Sequence, residues 1–255
     1  DAINEGCDIY CDVYPYTASH TGLISTIIPK SMRDMNSAGI CKMLKDSANR
    51  KKIKEEYLNQ YGEDCSELQI TICAGHPEFE GKKLKEVADM LNKDVWEASF
   101  DTIIDANGQI SVCNFSMCEE DVKTVLSFNR AMLCTDSSVA KNNNVYHPRL
   151  RASFPRFLAE YVRKQGVMEL GEAIRKITSL PAFVYGLKNK GLLKEGYDAD
   201  ICIFDKDKIT DNSTFTDCGK GADGLSYVIV GGKVVCENAV YNGIRNGKFI
   251  KRDEN

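Results

Sequence analysis

An aspartate in the position of a catalytic group follows an apolar run of this sequence. Residues 131–134 (AMLC) are apolar, and Asp136 comes after them with one threonine between. The run predicts a buried strand. In a parallel α/β barrel the loops after the strands form the mouth of the active site, so a carboxylate there favours catalysis. Aspartate is also frequent in turns after strands, so position alone leaves a structural role open.

The segment His147-Pro148-Arg149 belongs to the same predicted loop, which covers residues 137–149. The guanidinium group matches the planar fork of a carboxylate better than an ammonium group does, which makes Arg149 a candidate for binding an acidic substrate. The alternative is an arginine that simply lies on a surface loop.

Histidine is too scarce for a self-contained metal site. His20, His76 and His147 are the three histidines, and they form no HxH, HxxxH or HExxH pair of the kind that binds zinc. The sequence also has no GxSxG, phosphate-binding loop or GxGxxG motif, so neither a serine nucleophile nor a nucleotide site is predicted.

The composition excludes several classes of protein. A net charge of -4 with no basic stripe argues against nucleic acid as a partner. No run approaches the roughly 20 apolar residues of a membrane helix, and no signal peptide is evident. The eleven cysteines are odd in number and contain no CxxC pair, which indicates a reducing compartment and hence a cytoplasmic protein.

Strands and helices alternate up to about residue 188, and short β-rich runs separated by glycines follow. We therefore expect the α/β class for residues 1–188 and a small β segment for residues 189–255. Residues 2–6 (AINEG) are typical of the end of a helix, which suggests that the chain begins within a domain.

The predicted strands are 7–14, 68–74, 110–115, 131–134, 200–204, 226–230, 233–236 and 248–250, and the predicted helices lie within 37–61, 84–90, 95–104, 119–128, 154–164 and 170–178.

Several blocks of the sequence occur in the order found in one enzyme family. Residues 12–18 (DVYPYTA) and 21–23 (TGL) resemble a stretch of the D-aminoacylases, the N-acyl-D-amino-acid deacylases of the amidohydrolase superfamily. The later blocks are similar to that family as well, and together the matches cover nearly the whole chain. These blocks are 135–137 (TDS), 147–150 (HPRL), 153–156 (SFPR), 172–182 (EAIRKITSLPA) and 191–205 (GLLKEGYDADICIFD).

The resemblance implies the C-terminal part of a (β/α)8 TIM-like barrel in residues 1–188 and a small β domain segment in residues 189–255. In such enzymes a metal, usually zinc, activates water for attack on the amide of an N-acyl-D-amino acid. Asp136 matches the aspartate of the eighth strand, which passes the proton of the water to the departing amine and can also bind metal. Arg149 matches the arginine that holds the substrate carboxylate, and Tyr14 and His147 are expected to line the same substrate site.

The sequence departs from the family at four points. The HxH of the first strand, the bridging Cys or Lys and the histidine of strand five have no counterpart here. Tyr14 stands where some members have a histidine ligand, His20 replaces a small residue, and Ser137 replaces a glycine. The resemblance therefore implies a fragment without the main metal ligands, in which zinc belongs to the full-length enzyme. An open barrel edge further predicts a homo-oligomer.

Two other functions remain open from the sequence. A cyclic amidohydrolase, similar to a hydantoinase or dihydropyrimidinase, would share the block at residues 191–205, which is similar to a signature seen widely among amidohydrolases. A non-catalytic binding or assembly module would keep the fold without the chemistry.

Overall fold

The computed structural model describes residues 2–137 and 147–250. Its strands, in chain order, are β1 (Cys11–Val13), β2 (Ser19–Gly22), β3 (Gln69–Cys73), β4 (Ile110–Asn114), β5 (Ala131–Leu133), β6 (Ile201–Phe204), β7 (Leu225–Val230), β8 (Lys233–Glu237) and β9 (Val240–Tyr241). Its helices are α1 (Leu23–Ile27), α2 (Ser37–Met43), α3 (Ser47–Tyr61), α4 (Leu84–Leu91), α5 (Val95–Asp105), α6 (Glu119–Ser127), α7 (Arg149–Arg156), α8 (Leu170–Ile177) and α9 (Ser179–Val184). There are also two short 3₁₀ turns (Lys30–Met32 and Pro77–Phe79) and a π-helical stretch that continues α7 (Phe157–Lys164).

The described residues form two compact units. The inserted unit consists of Thr17–Met117 together with His147, and the flanking unit consists of residues 2–16, 118–137 and 148–250. The loop predicted over residues 137–149 lies for the most part outside the described residues.

The inserted unit is an antiparallel sheet covered by helices. Its strand order is β2-β4-β3, and both pairings are antiparallel. Two of the longer helices begin at an aspartate whose side chain accepts from a backbone N–H group of the first turn, Asp46 for α3 and Asp94 for α5. The apolar side chains of the sheet and the helices form one core of the unit, which includes Leu23, Ile53, Ile70, Trp96, Phe100 and Val112.

The two ends of the inserted unit are tied together. The N–H of Met117 donates to the carbonyl of Thr17 at 3.1 Å. Just inside this bond, β2 pairs with β4 from Ser19 opposite Asn114 to Gly22 opposite Ser111. The chain therefore enters and leaves the unit at neighbouring points.

The flanking unit is built on a short parallel pair, β1 beside β5, with Cys11 opposite Ala131 and Val13 opposite Leu133. Because successive side chains of a strand point to opposite faces, Val13 and Leu133 share one face. That face packs on α6, α8 and the π-helical stretch, through a core that includes Val122, Leu126, Phe157, Leu158, Tyr161 and Ala173. The strands run in the same direction, so their carboxyl ends lie at the same edge.

The β-rich C-terminal segment forms an antiparallel meander, in the order β6-β7-β8-β9. The strands predicted at 200–204, 226–230 and 233–236 are confirmed to within a residue at either end. The predicted strand at 248–250 is wrong, since no strand is assigned there and Phe249 is 87% exposed. Nothing holds such a run in a sheet when its apolar side chains face solvent. The proposed boundary between residues 188 and 189 stays a prediction.

The predicted α/β content is confirmed, but the strands of the inserted unit do not pair as a parallel barrel would require. β2, β3 and β4 are antiparallel, whereas the prediction placed residues 1–188 in the second half of a parallel barrel. Local strand patterns do not reveal the direction of pairing, which explains this difference. Among the described strands, the pair β1-β5 alone has the parallel pairing of such a barrel.

Self-association is expected from the edges of this parallel pair. Among the described residues, β1 and β5 pair only with each other, so neither strand has a second strand at its outer edge. We expect the 255-residue chain to form dimers or larger species whose fraction rises with concentration. Sedimentation velocity across a concentration series measures this, and a monodisperse monomer throughout would contradict it.

Two glycines of the meander provide a matched pair for testing its packing. Gly224 and Gly232 have φ of +78° and +77°, so alanine is strained at both. A Cβ at Gly224 would lie 2.5 Å from the nitrogen of Ile209, whereas nothing lies within 4 Å of one at Gly232. We expect Gly232→Ala to lower the free energy of unfolding by about 1 kcal/mol and Gly224→Ala by at least about 2 kcal/mol more. Urea denaturation of both variants checks this, and equal losses would refute the close approach.

Candidate active site

Asp136 lies just beyond the carboxyl end of β5, as the sequence predicts. Its φ is +42°, a left-handed conformation that is uncommon outside glycine but that aspartate tolerates better than most residues. Such backbone positions cluster at functional sites. The side chain is 64% exposed, so a molecule approaching this edge of the strands can reach the carboxylate.

Arg149 lies at the start of α7 and is almost completely buried, with 5% of its surface exposed. Its Nη1 atom is 3.0 Å from Oδ2 of Asp136. The amino end of a helix repels cations, so the nearby carboxylate is an important partner for this guanidinium group. Burial also restricts the arginine to few rotamers, which suits a group that must present its fork in one direction.

Tyr14 follows β1 and provides the third side of the cluster. The centre of its ring lies 4.4 Å from the guanidinium carbon of Arg149, at the distance of a cation–π contact. Burial raises the pKa of the Tyr14 hydroxyl, Asp136 raises it further, and Arg149 acts in the opposite direction. The hydroxyl is therefore protonated at neutral pH and can donate a hydrogen bond.

The structure thus brings together Tyr14, Asp136 and Arg149, three of the four residues singled out from the sequence. His147 lies in the inserted unit, is 1% exposed, and its Nε2 is 2.8 Å from the carbonyl oxygen of Ala18. This contact ties the ring to the backbone of its own unit. A role for His147 in substrate binding stays a prediction.

Two further residues near the site, one in β1 and one directly after β5, were missed from the sequence. Asp12 and Cys134 precede Tyr14 and Asp136 by two positions each, and Asp12 interacts with the Cys134 thiol. Burial, with a further contribution from Asp12, raises the pKa of this thiol to about 11, so it stays protonated at neutral pH. The alternation of side chains along a strand could have identified Asp12 as a neighbour of Tyr14.

The described residues do not by themselves form a metal site. They contain no group of three or more His, Cys, Asp or Glu side chains placed to hold a metal ion. Two of the histidine rings bond elsewhere, His20 to Thr71 at 2.8 Å and His76 to Glu78 at 3.0 Å. Zinc takes about four ligands, of which Asp136 could supply one.

A pocket of about 540 Å³ lies at the opposite ends of β1 and β5. It is lined by residues that precede the two strands, Tyr10 and Arg130 among them, and by Arg175 of α8. Both arginines are paired with carboxylates, Arg130 with Asp8 at 2.8 Å and Arg175 with Glu172 at 2.7 Å. Because these residues lie at the amino ends of the strands, the pocket is distinct from the cluster around Asp136.

In the part of the chain that the structure describes, no helix is both long and apolar enough to span a membrane.

Comparison with known proteins agrees with the resemblance seen in the sequence. Residues 71–235 match the family described as the amidohydrolase family. A D-aminoacylase of Alcaligenes xylosoxydans xylosoxydans is 32% identical over 183 residues, which is 72% of this chain and 36% of the relative. An N-acyl-D-glutamate deacylase of the same organism is 28% identical over 248 residues, or 97% of this chain and 42% of the relative. The chain thus spans less than half the length of these curated relatives.

A solved structure is similar over the same extent. The N-acyl-D-glutamate deacylase from Bordetella bronchiseptica, complexed with zinc and a phosphonate inhibitor that mimics the tetrahedral intermediate, matches with a TM-score of 0.70 and 26% identity. The match covers 94% of this chain and 43% of that protein. The predicted relationship to the D-aminoacylases is confirmed, and the shared fold extends over nearly the whole chain.

Proposed function

Because this chain belongs to the amidohydrolase family, we propose that the whole protein hydrolyses the amide bond of N-acyl-D-amino acids. The observation that supports this most directly is the contact between Arg149 and Asp136 at the carboxyl ends of β1 and β5. Arg149 is a cation suited to binding a carboxylate, and Asp136 beside it is an accessible acid–base group. Cleavage of an amide next to a free carboxylate requires both.

Asp136 is proposed as the general acid–base. Its exposed carboxylate would accept a proton from the water that attacks the amide carbon and would return that proton to the departing nitrogen. Asp136 thereby ends the reaction in the state in which it began. Oδ2 of this carboxylate lies 3.0 Å from Nη1 of Arg149, which holds the side chain in one orientation.

Arg149 and Tyr14 are proposed to bind the substrate. An arginine has five N–H donors, so the guanidinium group can contact a substrate carboxylate while it keeps its contact with Asp136. The protonated Tyr14 hydroxyl would donate to a second substrate oxygen. Stacking of Arg149 on the Tyr14 ring fixes the direction of the fork, which sets the distance between the bound carboxylate and the reacting amide.

Zinc is proposed for the whole protein by analogy with the deacylase that was crystallised with zinc. The described residues do not complete a zinc site, so further ligands must come from elsewhere in the protein. We also propose that the whole protein has a closed barrel, is cytoplasmic and forms a homo-oligomer.

Arg149 and Asp136 favour this proposal over its two rivals. A hydantoin has no free carboxylate next to the bond that is cleaved, so it would make no use of the fork of Arg149 beyond its contact with Asp136. A non-catalytic module would need neither an accessible Asp136 nor its strained backbone.

We expect that the 255-residue chain alone does not hydrolyse N-acetyl-D-amino acids, because its described residues leave the metal site incomplete. The measurement is release of free D-amino acid with and without added zinc, and the whole protein serves as the positive control. Zinc-dependent turnover by the isolated chain would show that it contains a complete site.

In the whole protein, Asp136→Asn should lower kcat by roughly 10²–10⁴-fold, the range for loss of a general acid–base. Arg149→Lys should mainly raise KM, because lysine cannot bind a carboxylate with two parallel hydrogen bonds. Steady-state kinetics with an N-acetyl-D-amino acid separates the two effects.

The chain contains a matched control for both substitutions. At the amino ends of the strands, Arg130 pairs with Asp8 at 2.8 Å and lies 5.2 Å from the Tyr10 ring, an arrangement like that of Arg149, Asp136 and Tyr14. Asp8→Asn and Arg130→Lys should leave kcat and KM nearly unchanged. Near-normal kcat in Asp136→Asn would remove the catalytic role of Asp136.

A further inference from the structure

Arg156, the last residue of α7, contacts the turn that follows β1. Its Nε donates to the carbonyl of Pro15 at 2.8 Å, and its guanidinium carbon lies 4.9 Å from the centre of the Tyr16 ring. Its Nη1 is 3.8 Å from Oδ2 of Asp211, which belongs to the segment between β6 and β7. Pro15 and Tyr16 are thus held from one side by a single arginine.

The turn that Arg156 holds also positions Tyr14. The N–H of Tyr16 donates to the carbonyl of Tyr14 at 3.0 Å, so residues 14–16 form a tight turn around Pro15. Proline fixes one of the two backbone torsions at its centre. Because the backbone torsions between them are restricted, a displacement of Tyr16 also displaces Tyr14.

One helix thus binds both ends of this turn. Arg149 and Arg156 are the first and last residues of α7, separated by about two turns and so on one side of the helix. Arg149 stacks on Tyr14, and Arg156 stacks on Tyr16. Of these two arginines, Arg149 is the one paired with Asp136.

We infer that Arg156 is a positioning residue for the substrate carboxylate. By holding Pro15 and Tyr16, Arg156 keeps the Tyr14 ring under Arg149. Two residues of the β-rich segment hold Arg156 and Tyr16 in turn: Asp211 pairs with Arg156, and the centre of the Phe215 ring lies 6.2 Å from the centre of the Tyr16 ring. This inference rests on the proposed function for the identity of the ligand, but the link between Arg156 and Tyr14 holds irrespective of it.

Arg163 provides a control on the same helical segment. Its Nη1 donates to the carbonyls of Lys206 at 3.0 Å and Ile209 at 2.6 Å, so it also ties the π-helical stretch to the β-rich segment. Arg163→Met removes an anchor of this kind without changing the Tyr14–Tyr16 turn. Arg156→Met removes the anchor and the turn contacts together, and Arg156→Lys keeps the charge opposite Asp211 but loses the planar stack and the Nε donor.

The first measurement does not depend on enzymatic activity. The full chain is labelled with ¹³C in its tyrosine rings, and the Tyr14 signal is assigned from Tyr14→Phe. We expect Arg156→Met and Arg156→Lys to shift the Tyr14 ring signals and Arg163→Met to leave them in place. If Arg156→Met does not fold, Arg156→Lys decides the result, and Tyr14 signals equal to those of wild type in a folded Arg156 variant overturn the inference.

The second measurement is kinetic and uses the whole protein. We expect Arg156→Lys to raise KM for an N-acetyl-D-amino acid roughly three- to tenfold with kcat nearly unchanged, as loss of a cation–π contact that orients a binding group implies. Arg163→Met should keep both constants near wild type. An unchanged KM in an active Arg156→Lys enzyme overturns the inference. A wild-type protein without this activity refutes the proposed function instead, and the ring signals then decide the inference alone.

Discussion

Three residues of β1 pair with three residues of β5 in parallel, although the whole inserted unit separates the two strands in the sequence. This pairing fixes the geometry of the candidate site, since parallel strands present their carboxyl ends at one edge. Tyr14 comes directly after β1, and Asp136 follows the end of β5 by three residues. A one-residue slip in the register would turn the side chains of one strand to the other face. The opposite face, with Val13 and Leu133, is packed against helices, which makes such a slip costly.

Arg149 of α7 lies where electrostatics alone would not favour a cation. It is at the amino end of the helix, where the dipole opposes a positive charge, whereas Arg156 lies within a longer helical run, because the π-helical stretch continues α7 directly. The carboxylate of Asp136 and the face of the Tyr14 ring offset the unfavourable placement. An arginine kept at a helix amino terminus in this way is well suited to an anionic ligand, which would add the negative charge that the position lacks.

The sequence predicted the parts of the site that depend on local pattern. The apolar run before Asp136 identified β5, and the resemblance to the deacylases pointed to Arg149 and Tyr14. It could not predict that Arg149 is buried, because a segment of mixed polarity gives no sign of its contacts. β2 was also missed, since its sequence SHTG lacks the branched and aromatic residues that mark a strand and is held in place by pairing with β4.

The contact between Thr17 and Met117 has a consequence for how the chain folds. In the unfolded chain, β1 can meet β5 only by closing a loop that contains the whole inserted unit, and the entropy cost of closure increases with loop length. The core of the inserted unit is drawn from its own residues, so the unit can collapse without the strands on either side. Once it has done so, the bond between Thr17 and Met117 holds its ends together. The span left to close is then residues 14–16 on one side and residues 118–130, which include α6, on the other. The insertion then brings β1 and β5 together in the folding chain instead of keeping them apart.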